Sequence, residues 1–168
     1  MKTIIILLII FPFYTFCQSE YYPFRKLEKC IFLSDKDTLI YEYGGSIQKS
    51  TCKIYKTNDV DTVNIELFIK DNTIVYLVNG IILKLMECTP ETGKILINDN
   101  QGLRSEIVGR IESLKVAGTL YNDVVILKTW FAQNSFVEYY YFARGVGIIK
   151  IIDFETNEYS LIQCLKSN

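Results

Sequence analysis

The chain has 168 residues, 49% hydrophobic and 22% charged, with a formal net charge of −1 and no histidine. That length bounds a single domain able to bury about two-thirds of its unfolded surface, and the composition excludes a disordered chain. The longest basic run is the pair Arg25-Lys26, which argues against nucleic acid and anionic membrane surfaces as partners. Twelve Tyr and ten Phe against three Pro and two Met favour pleated sheet. Without histidine the commonest general base, the usual nucleophilic triads and most transition-metal sites are removed. No cofactor and no metal are expected.

At the N-terminus, Lys2 is the only charge before Glu20, and an apolar run extends from Ile4 to Phe13. About ten residues is half of what a spanning helix needs. Thr15 and Cys17 supply small residues ahead of Gln18, so residues 1–17 read as a signal peptide and 18–168 as one β-rich domain. The expected destination is the periplasm, the outer envelope or the exterior, with no transmembrane helix in the mature chain. Lipid anchoring through Cys17 is the disfavoured alternative, because bulky Phe16 stands where that signal wants a small residue. Four cysteines follow, Cys30, Cys52, Cys88 and Cys164. An exported chain can oxidise them into two disulfides, and they can equally serve as small buried hydrophobes. No C-x-x-C spacing is present to suggest a redox or zinc motif.

After Tyr21-Tyr22-Pro23-Phe24 comes the charged segment Arg25 to Lys29, which has the character of a helical turn and supports no firm assignment. From Thr38 the pattern becomes strands punctuated by Gly44-Gly45, Asn58-Asp59, Asp71-Asn72 and Asn79-Gly80. Two-residue turns at the last three set Ile54 opposite Val63, Cys52 opposite Ile65, Leu67 opposite Tyr76, Ile69 opposite Ile74, Tyr76 opposite Leu83 and Ile74 opposite Leu85. All of these fall on one apolar face, and a slip of one residue would scramble it. The same register puts Cys88 with Met86 on the opposite, mixed face, away from Cys52. A Cys52–Cys88 bridge is then awkward, and two bridges would pair Cys164 with one of them and Cys30 with the other.

Cys88 to Gly93 reads as a loop and Lys94 to Ile97 as a short strand. Asn98-Asp99-Asn100-Gln101-Gly102 lacks the ligand spacing of a calcium loop and reads as a polar turn. Arg104 to Val116 leans to strand although Gly109 weakens the pattern. Gly118 marks a corner before the run Val124 to Phe131, and Gln133-Asn134-Ser135 is a turn. Tyr139 to Lys150 reads as two strands meeting at a corner formed by Gly145 and Gly147. Those glycines are followed by Ile148-Ile149-Lys150-Ile151-Ile152 and not by a helix, so they are no phosphate-binding loop. A turn at Thr156-Asn157 would set Phe154 opposite Tyr159 and Ile152 opposite Leu161. The fold class is therefore all-β, with only a minor helix allowed.

Three pieces carry a resemblance: Tyr21-Tyr22-Pro23-Phe24, Leu114-Lys115-Val116-Ala117-Gly118-Thr119-Leu120 with Val124-Val125-Ile126, and Tyr140-Tyr141-Phe142-Ala143-Arg144-Gly145-Val146-Gly147-Ile148-Ile149-Lys150. Their order and spacing resemble a family of exported bacterial domains of unknown function common in Bacteroidetes-type bacteria. That family is similar in fold to the lipoprotein-localisation factors. The resemblance implies a curved antiparallel meander, an incomplete barrel around an apolar concavity. It assigns no catalytic residues. Val116 stands where the family pattern has proline, and Leu120 where it has an aromatic.

The aromatic cluster near the C-terminal half offers Trp130, Tyr139, Tyr141 and Phe142 as candidate ligand-binding residues, against a plain role in the core. The close acidic pairs Asp35/Asp37 and Asp59/Asp61 sit at turns, where solvated Asx-turn roles are the simpler account. The expected function is a non-catalytic, envelope-associated β domain that binds an apolar ligand such as a lipid or acyl chain, or an envelope protein. The alternatives are a small secreted enzyme using Asp/Glu or Ser/Lys chemistry, and a purely structural domain.

Overall fold

The computed structural model describes Tyr21 and residues 27–45, 50–57, 62–98, 102–131 and 136–166. The leader expected at 1–17, with Cys17, lies outside the described residues, as do the Asn58-Asp59 turn and Asp61. Twelve strands follow in order: β1 (Leu27–Leu33), β2 (Thr38–Gly45), β3 (Ser50–Lys56), β4 (Thr62–Lys70), β5 (Thr73–Val78), β6 (Ile81–Glu87), β7 (Ile95–Asn98), β8 (Leu103–Val116), β9 (Thr119–Phe131), β10 (Val137–Ala143), β11 (Gly147–Ile152) and β12 (Glu158–Lys166). The described residues contain no helix, and hence none long and apolar enough to cross a membrane. The strands form one antiparallel sheet in the order β6-β5-β4-β3-β2-β1-β12-β11-β10-β9-β8-β7. Each strand pairs with its neighbour in sequence except across β6 and β7, and β1 pairs with β12. The result is an up-and-down barrel, nearly closed, with an unsealed seam between β6 and β7.

Turn chemistry sets the hairpins. Asp71-Asn72, Asn79-Gly80 and Ala117-Gly118 form two-residue loops whose residues all have positive φ. That backbone twist matches the right-handed twist of the flanking strands. The registers Cys52↔Ile65, Ile54↔Val63, Leu67↔Tyr76, Ile69↔Ile74 and Tyr76↔Leu83 agree with the pattern expected from the turns. The face they define points into the barrel, where Leu67 and Ile74 are completely buried. β10 and β11 do meet at glycines: Gly145 and Gly147 have φ of 73° and 98°, and the Val146 N–H donates to the Ala143 carbonyl at 3.1 Å.

Three expectations are corrected. First, Ile74 pairs with Met86 and Val75 with Lys84, leaving Leu85 as a bulge. A bulge shifts side-chain parity by one, so Met86 and Cys88 turn inward, at 1% and 4% exposure. Second, the segment beginning at Leu27 is a strand and not a helical turn. It places Cys30 directly opposite Cys164, and these two form the disulfide. Cys52 and Cys88 are buried thiols. Third, Ile151 pairs with Tyr159 and Ile152 with Glu158, so Phe154 does not face Tyr159. Asp153 ends β11 because its carboxylate accepts hydrogen bonds from the Glu155 N–H (3.0 Å), the Asn157 N–H (2.9 Å) and the Asn157 side-chain amide (3.1 Å). The five residues 153–157 become a loop, and Phe154 is left half-exposed at its tip.

The interior is filled. Phe32, Leu67, Ile74, Met86, Leu127, Phe142, Ile149 and Tyr159 are among the largest side chains that are almost wholly buried. Each such burial contributes about 1.5–3 kcal/mol. At the seam Asn98 stands in for a missing ladder. The Lys84 N–H donates to Asn98 Oδ1 at 2.7 Å, Asn98 Nδ2 donates to the Lys84 carbonyl at 3.2 Å, and Ser105 Oγ donates to the same carbonyl at 3.2 Å. Asn98 is thus the end of β7 and a seam closure, where the sequence suggested only a polar turn. Elsewhere, Tyr21 is buried and its hydroxyl receives a hydrogen bond from Arg110. Arg110 and Arg144 both reach Asp123, at 2.7 and 3.5 Å. Tyr21 and Arg144, from two of the resembling segments, are therefore linked through Arg110 and Asp123.

Thiol titration of the unfolded, unreduced protein should count two thiols among Cys30, Cys52, Cys88 and Cys164, with Cys30 and Cys164 withheld. Four thiols, or none, would contradict this pairing. Cys30→Ala should lower stability by about 2–4 kcal/mol, because the bridge closes a long loop, measurable by urea unfolding.

Candidate functional site

Four aromatic side chains gather at one rim of the barrel, from the end of β9, the residue before β10 and the β11–β12 loop. Trp130 and Phe131 end β9, Phe136 precedes β10, and Phe154 comes from the Asp153 loop. Phe131 and Phe136 meet edge-to-face with centroids 6.1 Å apart, and Phe136 and Phe154 do so at 5.4 Å. Such pairs contribute about 0.5–1.5 kcal/mol beyond burial. These three phenylalanines nevertheless remain 43%, 48% and 51% exposed. With Leu103, Thr129 and Trp130 they wall a cavity of about 310 Å³, and Glu138 is among the residues that line it.

Glu138 is there because of strand alternation. It pairs with Thr129 and shares its face of β10 with Tyr140 and Phe142, the face that points into the barrel. The Tyr140 hydroxyl donates to Glu138 Oε2 at 2.7 Å. Burial pushes the Glu138 carboxyl above its ordinary value and the nearby Asp153 adds to this, while the Tyr140 hydrogen bond works the other way. Tyr140 is itself raised by burial first, then by the Glu138, Tyr41 and Tyr76 charges. A carboxyl among tyrosine rings thus forms the floor under an aromatic rim.

Of the residues singled out from sequence, Trp130 lines this cleft. Phe142 is completely buried in the barrel interior. Tyr139 and Tyr141 lie on the opposite face of β10, half-buried, with the Lys150 ammonium 5.4 Å from the Tyr141 ring centroid. The structure does not bring these four together. Phe131 belonged to the same aromatic cluster in sequence, whereas Phe136, Phe154 and Glu138 were not singled out, and the one signal that could have found the two phenylalanines is large aromatics abutting turn residues.

Other candidate chemistry is already engaged. Asp35 is exposed, whereas Asp37 accepts a hydrogen bond from Ser34 Oγ at 3.0 Å and lies 3.7 Å from Lys56 Nζ. A larger hollow of about 550 Å³ runs beside Thr51 and Asn64, but its walls carry Glu42, Lys53 and Glu66. Glu42 there is bonded to Lys29 at 3.1 Å and to the Tyr55 hydroxyl at 2.7 Å. The aromatic rim is the more selective environment, with an apolar wall and one convergent polar group.

The raised carboxyl gives a stability test. Between the ordinary value, near 4.5, and the higher folded value, the unfolded chain has released this proton and the folded chain has not. Stability therefore falls as pH rises through that window, and the loss persists above it. Glu138→Gln should raise the melting temperature at neutral pH, and the gain should vanish below about pH 4. A gain that is the same at both pH values would contradict the account of this carboxyl.

Comparison of the chain with protein-family models, with curated proteins and with solved structures returns no match in any of the three.

Proposed function

We propose that this protein is an exported, non-catalytic binding module of a bacterial envelope that holds an apolar ligand of the acyl-chain class in the rim cleft. The observation that carries the reading is the exposed triad Phe131, Phe136 and Phe154 around the 310 Å³ cavity. Clustered exposed aromatics mark binding surfaces, and a cavity of this size lies at the lower end of the range for small-molecule sites. Export is supported by the expected leader and by the Cys30–Cys164 disulfide, a bond that persists in oxidising compartments. The resemblance to lipoprotein-localisation factors favours an apolar ligand at the fold level alone. A carboxylate- or Ser/Lys-based enzyme has less support, because Asp37 is tied to Ser34 and Lys56.

Native mass spectrometry of the protein isolated from its own envelope should show a bound apolar molecule. The double variant Phe136→Ala/Phe154→Ala, folded and with its disulfide intact, should carry at least about tenfold less, the loss expected when more than about 1.4 kcal/mol of contact is removed. Protein that is always empty, or equal occupancy in the variant, would overturn the proposal.

A further inference from the structure

Whatever enters the rim cleft must settle against Glu138, and the charges around that carboxyl decide which headgroup is tolerated. Among the described residues that line the cleft, Glu138 is the only charged one. Asp153 is close enough for its field to act on Glu138, with the same sign. Two ammonium groups stand close by, and both are engaged elsewhere. Lys128 sits 5.0 Å from the Trp130 ring centroid, on the opposite face of β9 from Thr129. Lys56 lies between Asp37 (3.7 Å) and Asp153 (4.0 Å). Tyr140 donates one hydrogen bond to Glu138, and Tyr41 and Tyr76 lie behind it, both close enough to act on the Tyr140 hydroxyl. A carboxylate can accept about four hydrogen bonds, so it has acceptor capacity for a ligand. The walls are aromatic rings, whose faces attract cations.

We propose that the cleft selects amphiphiles whose apolar body ends in a protonated amine, the ammonium docking on the Glu138 carboxylate, and that it rejects those ending in a carboxylate. This rests on the cleft being the ligand site and goes further by assigning the headgroup. The apolar body lies against Phe131, Phe136 and Phe154, and the ammonium donates to Glu138. A fatty-acid carboxylate in the same pose would face Glu138 and the field of Asp153 with no cation inside the cleft to offset them. Glu138 is the specificity-determining residue.

Calorimetric titration with octylammonium, octanol and octanoate at neutral pH tests this, since the three share one chain and differ in the head. Octylammonium should bind at least about tenfold more tightly than octanol, as expected for a charge-assisted hydrogen bond in a desolvated site, and octanoate should bind most weakly. Glu138→Gln should bring octylammonium down to the affinity that octanol has for the same variant, with a cooperative thermal melt showing that the variant is folded. Below about pH 4, where the carboxyl is protonated, the preference for the amine should disappear from the native protein. Octanoate binding as tightly as octylammonium, or a preference that survives Glu138→Gln, would overturn the headgroup assignment while octanol binding leaves the cleft itself standing. Failure of all three probes to bind would overturn both.

Discussion

The pairing of β1 with β12 is the contact on which the rest of this barrel depends. A meander of antiparallel strands generates its own ladder from hairpin to hairpin, but it remains an open sheet with two hydrogen-bonding edges unless its ends meet. Here the first and last described strands meet along Leu27↔Lys166 to Leu33↔Ser160, with Phe32 against Leu161 at the core. The Cys30–Cys164 bridge fastens that one join covalently. Because the ends are joined, the remaining opening falls in the middle of the chain, between β6 and β7, where the Asn98 amide, the Ser105 hydroxyl and the Lys94–Glu87 ion pair bridge the edges.

Register shifts interrupt the β1–β12, β5–β6, β8–β9 and β10–β11 ladders, and the bulges in β6 and β11 share a consequence. A regular strand sends alternate residues inward, whereas a bulge lets two consecutive residues face the core. Leu85 and Met86 are both buried beside the bulge in β6. Ile148 and Ile149 are both buried beside the one in β11. In β8 the bulge at Val108 lies next to Gly109, where an added Cβ would meet the Ile126 side chain at 3.4 Å. The barrel thereby curves while its core stays filled.

What could be read from the sequence follows the same physics. The β4–β5 register and the β5–β6 register from Tyr76 to Ile81 were legible because Asp71-Asn72 and Asn79-Gly80 supply both residues of a hairpin turn. The parity of Cys88 was not, because nothing in Lys84-Leu85-Met86 announces a bulge. β1 was hidden by the adjacent charges Glu28 and Lys29, and with it went the true partner of Cys164. The rim cleft drew least signal of all. Its residues come from Leu103, the end of β9, Phe136 and Phe154, segments with no shared spacing, and Phe154 is freed from the ladder only because Asp153 caps the preceding strand.

The proposed ligand site lies at the rim, and the barrel interior is occupied by the protein's own side chains. Trp130 is the only tryptophan in the chain and it lines the cleft, so its emission reports on that cleft alone. Quenching of Trp130 by a bromine-labelled alkyl chain is the most direct measurement. The account predicts saturable quenching in the native protein that Phe136→Ala/Phe154→Ala abolishes. Quenching that rises linearly without saturating, or that is unchanged in the variant, would contradict it.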